Sequence, residues 1–212
     1  MQKKQNLLMK NYAIILFLIL SFKNFAQSDP KTAFQKSRYE LALSYYKKSD
    51  YKTALDLFSI ASKIKPENEI GKESIKRVDS LKIILRKNYM HEAIGVWKLA
   101  GDKPVWASTA ENLADKEADE MIEISESKIV FYEINRKTKI KTVQRTEDLV
   151  YYNKDAGDAL FSEIILSDGT IWNCILSESS DVLHVINVAK KQGNEIEKVT
   201  SNNLELFYIK IN

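Results

Sequence analysis

The chain has 212 residues, 32 Lys and Arg against 29 Asp and Glu, and one cysteine, Cys174. Charge this evenly balanced leaves no basic footprint for a phosphate backbone, which excludes nucleic acid as the partner. A single thiol allows no disulfide framework, so stability must come from packing.

At the start, Lys3, Lys4 and Lys10 precede an apolar run from Tyr12 to Leu20, and Ser21, Phe22 and the small Ala26 follow. Basic, apolar and small-residue segments in that order predict a secretory signal peptide over residues 1–26, cut near Ala26. The apolar run falls short of the roughly 20 residues that a membrane-spanning helix needs. No stable membrane insertion is therefore expected after cleavage, the alternative being an N-terminal anchor that is kept. Removing Lys3, Lys4, Lys10 and Lys23, with no acid, leaves 28 basic against 29 acidic side chains. The mature chain is expected in the periplasm or outside the cell.

Residues 27–90 carry a helical pattern. Phe34, Leu41 and Tyr45 fall at helical spacing on a first helix, and Tyr51, Ala54, Leu55, Phe58, Ala61 and Ile64 on a second. Ser49 or Asp50 caps the second helix, and Pro66 ends it because proline cannot donate to the helical ladder. Ile75, Val78, Leu81 and Leu85 then make a stripe suited to a capping helix over Glu69 to Arg86.

From residue 91 to 212 the period changes to that of strands. IGVWKLA, MIEIS, KIVFYEI, IKTVQ, LFSEIILS, TIWNCIL, DVLHVINV and NLELFYIKI are rich in Ile, Val and aromatics, with polar turns between them. The chain is thus of the α+β class, and about eight strands in succession predict an antiparallel up-and-down barrel. Asp168-Gly169 reads as a type I′ hairpin turn, with positive φ at both residues. KIVFYEI and TIWNCIL are apolar on both faces, which predicts one face inside and the other against helices. Between strands, Trp106 to Glu120 is Ala-rich and charged, and reads as a short helix or a lid-like loop.

Residues 35–68 resemble one tetratricopeptide repeat, a helix–turn–helix unit of about 34 residues. SDYKTALDLFSIASKIKPEN matches the second half of that pattern. Leu41, Ala42 and Tyr45 match the first half, while Arg38 stands where the family has Trp. The resemblance implies close approach of the helices at Ala42 and Ala54, with Tyr45 and Phe58 filling the space between them. It also implies a protein-binding groove, which carries over to Tyr39, Leu43, Tyr46 and Lys47; packing against the β domain is the other use for these side chains. One repeat cannot bury both its faces, because stacked neighbours normally supply the core.

Gly95-Val96-Trp97, opening the first strand, is similar to the G-x-W signature of lipocalins, and the likeness spans residues 93–212. The family's TDY-type turn and C-terminal Arg lack clear counterparts, with Lys210 the nearest to the latter. The resemblance implies a barrel open to a small apolar ligand, with Trp97, Phe131, Trp172 and Phe207 as lining residues. A barrel of this size can equally be filled by its own side chains.

Catalytic constellations are missing. His91 and His184 stand in no metal-ligand spacing and beside no Gly-flanked nucleophile. Cys174 sits in an apolar strand, as a buried thiol does. Six glycines include no phosphate-cradling loop. Glu111, Asp115, Glu117, Asp119, Glu120 and Glu123 lack the order of a calcium loop and read as a solvated helix face. No cofactor or metal is expected. The sequence therefore points to an exported, non-enzymatic binding scaffold that docks a protein partner through its helices. A carrier of a small hydrophobic ligand is the alternative.

Overall fold

The computed structural model describes residues 29–104, 116–193, 195–199 and 203–211. The expected signal peptide, residues 1–26, lies outside them. Three helices, α1 (Pro30–Lys47), α2 (Tyr51–Ile64) and α3 (Glu69–Ala93), precede a ten-stranded antiparallel sheet. The chain divides into two compact units, the first ending at Val78 and the second starting at Asp79, so the boundary falls inside α3. The helix expected to cap the hairpin over Glu69 to Arg86 thus belongs to the hairpin only as far as Val78.

In the helical unit, local chemistry sets the helix ends. The Asp29 carboxylate accepts from the Lys31 N–H at 3.1 Å, and Pro30 takes the first helical position, where its missing N–H costs nothing. Asp50 caps α2 by accepting from Thr53 N–H at 3.1 Å. Ser49, with φ +62°, makes the bend before it. The last helical residue of α2 is Ile64, two before Pro66, as a proline dictates. Ala42, Ala54, Phe58 and Ala61 are fully buried where α1 and α2 meet. The ring against Phe58 belongs to Tyr39, at 5.4 Å, and not to Tyr45 as the repeat pattern implies.

Ten strands make up the sheet: β1 (Gly95–Gly101), β2 (Ala118–Ile124), β3 (Lys128–Asn135), β4 (Lys141–Asp148), β5 (Val150–Tyr151), β6 (Glu163–Ile165), β7 (Thr170–Leu176), β8 (Val182–Gln192), β9 (Glu195–Lys198) and β10 (Glu205–Ile211). The eight expected strands are present, and the short β5 and β9 join them. Residues 118–120, read as helix or lid, are strand instead, while 105–115 lie outside the described residues. Hydrogen-bonded order runs β4-β3-β2-β1-β10-β8-β7-β6-β5, with β9 added to β8.

The sheet does not close into the expected barrel. Its two edges, β4 and β5, are joined by Leu149 alone, and a hairpin needs at least about two turn residues before its strands can pair. A side chain bridges the seam instead: buried Glu147 of β4 accepts from the N–H (2.9 Å) and hydroxyl (3.0 Å) of Ser167, between β6 and β7.

Interior packing follows strand alternation. Trp97, Ile122, Ile124, Ile129, Ile164, Leu166, Trp172, Cys174, Leu183, Val185 and Tyr208 form one core, and Tyr89 and Met90 of α3 pack against it. The outer face is not covered by a helix throughout, since Ile175 of β7 is 44% exposed. The β6–β7 turn also differs from the type I′ expectation. Only Gly169 has positive φ (+84°), and Gly169 N–H donates to Leu166 C=O at 2.9 Å. That is a three-residue loop whose last residue is left-handed, in which Asp168 needs no unusual backbone and bonds Thr170 N–H through its side chain.

Candidate functional site

On α1, two stripes compete for the role of binding face. Gln35, Tyr39, Ala42 and Tyr46 recur at three- and four-residue steps and face α2, where Tyr39 meets Phe58 and Tyr46 meets Tyr51 at 5.6 Å. Beside it run Phe34, Arg38, Leu41 and Tyr45, the spacing that marked this helix as amphipathic. Phe34 is 47% and Leu41 41% exposed, and the Arg38 guanidinium lies 4.6 Å over the Phe34 ring. Of the four groove residues inferred from the repeat, Tyr39 and Tyr46 therefore spend much of their surface inside the hairpin. Leu43 is half-buried, and Lys47 is exposed.

Gln35 is the residue that sequence reasoning missed. It is fully buried, and its amide nitrogen donates to Ala61 C=O (2.9 Å) and Lys65 C=O (3.1 Å). Its carbonyl accepts from Asn68 Nδ2 at 2.6 Å, and Asn68 Oδ1 in turn caps α3 by accepting from Gly71 N–H at 2.7 Å. One side chain thus satisfies the open carbonyls at the end of α2 and positions the start of α3. Gly71 permits this approach, because a Cβ there would stand 2.1 Å from Lys65 C=O.

The four residues proposed for a barrel cavity do not share one. Phe131 and Trp172 meet edge to face across the interior at 5.8 Å, and Trp97 is fully buried in the same core. Phe207 points to the opposite face and stacks on His184 at 4.1 Å. Of the four, Phe131 alone lines a pocket of about 190 Å³, with Ile122, Arg145 and Tyr208, and the interior void lined by Tyr89, Ile129, Leu149, Tyr151 and Cys174 among others measures about 30 Å³. That is about one water's share of liquid volume, whereas ligand pockets begin near 300 Å³. Trp97 has a structural task, donating from Nε1 to Ala93 C=O at 2.8 Å. Lys210 lies 5.2 Å over its ring and donates to Glu92 C=O. Together they satisfy the carbonyl end of α3, where a cation also complements the helix dipole.

Set against protein-family models, curated proteins and solved structures, the chain matches none. Function must therefore be read from geometry.

The titratable side chains that sequence singled out lie in separate environments. Cys174 is buried in the sheet interior, where desolvation, aided by Glu163, pushes its thiol up to about 12. His184 is on the outer face, 2.8 Å from Glu205, and His91 is exposed on the last turn of α3. Of the acidic run, Glu111 and Asp115 lie outside the described residues, and the members from Asp119 on are on a strand and not on a helix face. Asp119, Glu120 and Glu123 are on β2, paired with Lys98 and Arg136, with Lys116 and with Lys141. Burial pulls the Asp119 carboxyl upward, but Lys98 and Arg136 outweigh it and hold the carboxyl below the usual range.

A second feature escaped the sequence. Lys82, Arg86 and Tyr89, one face of α3, clamp the segment from Asn153 to Phe161. Lys82 pairs with Asp158 at 2.6 Å, both side chains 5% exposed. Arg86 donates to Phe161 C=O (3.1 Å) and Asn153 Oδ1 (2.8 Å), and Tyr89 meets the Phe161 ring. Asp158 also accepts from the N–H groups of Leu160 (2.8 Å) and Asp155 (3.0 Å), so the buried carboxylate is well satisfied.

Proposed function

We propose that this protein is an exported, non-enzymatic binding protein whose tetratricopeptide-like hairpin docks a protein partner. The observation that carries the reading is the stripe on α1. With the contacts to α2 already made, Phe34 and Leu41 remain 47% and 41% exposed one below the other, with Arg38 and Tyr45 alongside. An apolar stripe rimmed by a cation and a tyrosine is the composition that protein interfaces favour at their centres. Leu43 and Lys47, on the other flank of the Tyr39–Tyr46 row, extend the surface. Among the described residues no helix is long and apolar enough to cross a membrane. The carrier reading would need the packed sheet interior to open, since the spaces against the core, about 30 and 190 Å³, fall short of ligand sites, which begin near roughly 300 Å³.

The test is cross-linking capture from the exported fraction of the source cells, comparing the wild-type chain with Phe34→Asp/Leu41→Asp and with Tyr46→Ala/Lys47→Glu. Loss of a specific band with the first pair, at unchanged circular dichroism, is the expected result. The same captured proteins from all three chains would remove the hairpin from the binding role.

A further inference from the structure

The outer face of the sheet holds a groove of about 330 Å³ between the segment after β5 and the β8–β9 hairpin. Its volume lies at the lower end of small-molecule sites, about ten times that of the interior void. Its floor follows from strand register. Ile171 of β7 faces Ala189 of β8, both buried, and Ala189 in turn faces Lys198 of β9. Leu160 and the 44% exposed Ile196 add apolar walls.

Glu163 also lines this groove. It alternates with the core residue Ile164 on β6, so its side chain is sent to the outer face. Only 8% of the residue is exposed, and among the described residues its carboxyl meets no protein hydrogen-bond donor; its oxygens still reach solvent through the groove, with Lys154 and Lys82 acting on it at longer range. The nearby Lys82 is committed to Asp158. A largely shielded carboxyl that opens only into the groove has water alone as hydrogen-bond donor, and a ligand ammonium group can take that place with a charge contact added. Two further lysines, Lys154 and Lys198, line the exposed rim, and among the described residues neither forms a close ion pair.

We propose that this groove binds a compact amphipathic zwitterion, an apolar α-amino acid. Glu163 receives the ammonium group, Lys154 and Lys198 receive the carboxylate, and the side chain lies over Ile171, Leu160 and Ile196. Apolar burial and two opposite charge contacts select against molecules with only one charged end. Burial, reinforced by Asp158, raises the pKa of Glu163, and an ammonium group in contact would reverse that direction. The site stands independently of the docking surface on α1.

The experiment is a titration of the ¹⁵N-labelled mature chain followed by amide shifts, with three probes of one skeleton. They are L-leucine, isoamylamine without the carboxylate and 4-methylvalerate without the amine. A groove this small supports affinities of roughly millimolar order, within reach of the method. L-Leucine is expected to move the amides of Lys154, Glu163, Ile171, Ala189 and Ile196. Glu163→Gln should weaken it by at least about tenfold, with the rest of the spectrum unchanged. Lys154→Ala/Lys198→Ala, two exposed positions that leave the fold alone, should weaken L-leucine and spare isoamylamine. Absence of shifts with L-leucine, equal binding to the Glu163→Gln chain, or 4-methylvalerate binding as well as L-leucine would each overturn the proposal.

Discussion

Replacing Lys82 by Met tests how the segment after β5 is held. The substitution keeps an unbranched apolar stem and removes the ammonium that pairs with Asp158 at 2.6 Å, where both partners are 5% exposed. Breaking a buried pair from one side costs about 3–5 kcal/mol, because the remaining charge stays desolvated. Asp158 keeps two backbone N–H donors, from Asp155 and Leu160, so a loss of about 3 kcal/mol is expected. All three tryptophans lie at or beyond Trp97, so urea unfolding followed by tryptophan fluorescence reports on the sheet unit.

The pH dependence sharpens this test. In the wild type, burial raises the Asp158 pKa, but the Lys82 and backbone hydrogen bonds outweigh it and hold the carboxyl below the usual range. A depressed folded pKa contributes stability that is present above the unfolded value, about 3.9, and is lost as pH falls through the folded value. Without Lys82 the Asp158 contribution changes sign. Burial then dominates, the folded pKa rises above the unfolded one, and acidification towards pH 4 narrows the gap to wild type. The double variant Lys82→Met/Asp158→Leu should recover much of the loss, since it leaves no buried charge behind. A loss below about 1 kcal/mol for Lys82→Met, or a double variant as unstable as the sum of its singles, would refute the reasoning.

Gln35→Leu should destabilise the helical unit by about 2–4 kcal/mol, because the Ala61 and Lys65 carbonyls and the Asn68 amide all lose a buried partner. Chemical unfolding followed by circular dichroism at 222 nm (the wavelength of about maximal helix signal) measures it. Gly169→Ala combines a positive φ with a Cβ placed 2.2 Å from Lys191 C=O. At least about 2 kcal/mol, a fall in Tm of about 4–8 °C, is expected by calorimetry. Cys174, with its thiol pushed up to about 12 by burial, should resist a disulfide reagent at neutral pH in the native chain and react fully in urea. Rapid native labelling would show that the sheet opens locally.

Much of the fold was legible because it is written in short-range patterns. The steps of Tyr51, Ala54, Leu55, Phe58 and Ala61 allow only a helix with one buried face, and Asp50 and Pro66 mark where it begins and stops. The eight strand segments follow in the same way from alternating Ile, Val and aromatic residues. Short range is also where the legibility ended. Phe34, Leu41 and Tyr45 have the period of a buried stripe, yet the hairpin closes on Gln35, Tyr39, Ala42 and Tyr46, one position round the helix. Nothing local distinguishes the two, since the choice depends on which neighbour offers Ala61 and Lys65 carbonyls to a glutamine.

The same division runs through the binding surfaces. By itself the sequence determined the helices, the eight main strands, their order, the balance of charge and the α+β class, all of them consequences of period and composition within a few residues. Tertiary structure alone decided that the sheet stays open, because Leu149 is the whole link between its two edges. It alone decided that the interior is filled by Phe131 against Trp172, so that the larger groove lies outside. And it alone committed Lys82 to Asp158, 76 positions away, and turned the Glu163 carboxyl into the outer groove. Pairings at that separation are settled by how packed elements bring side chains together, and no period in the chain encodes them.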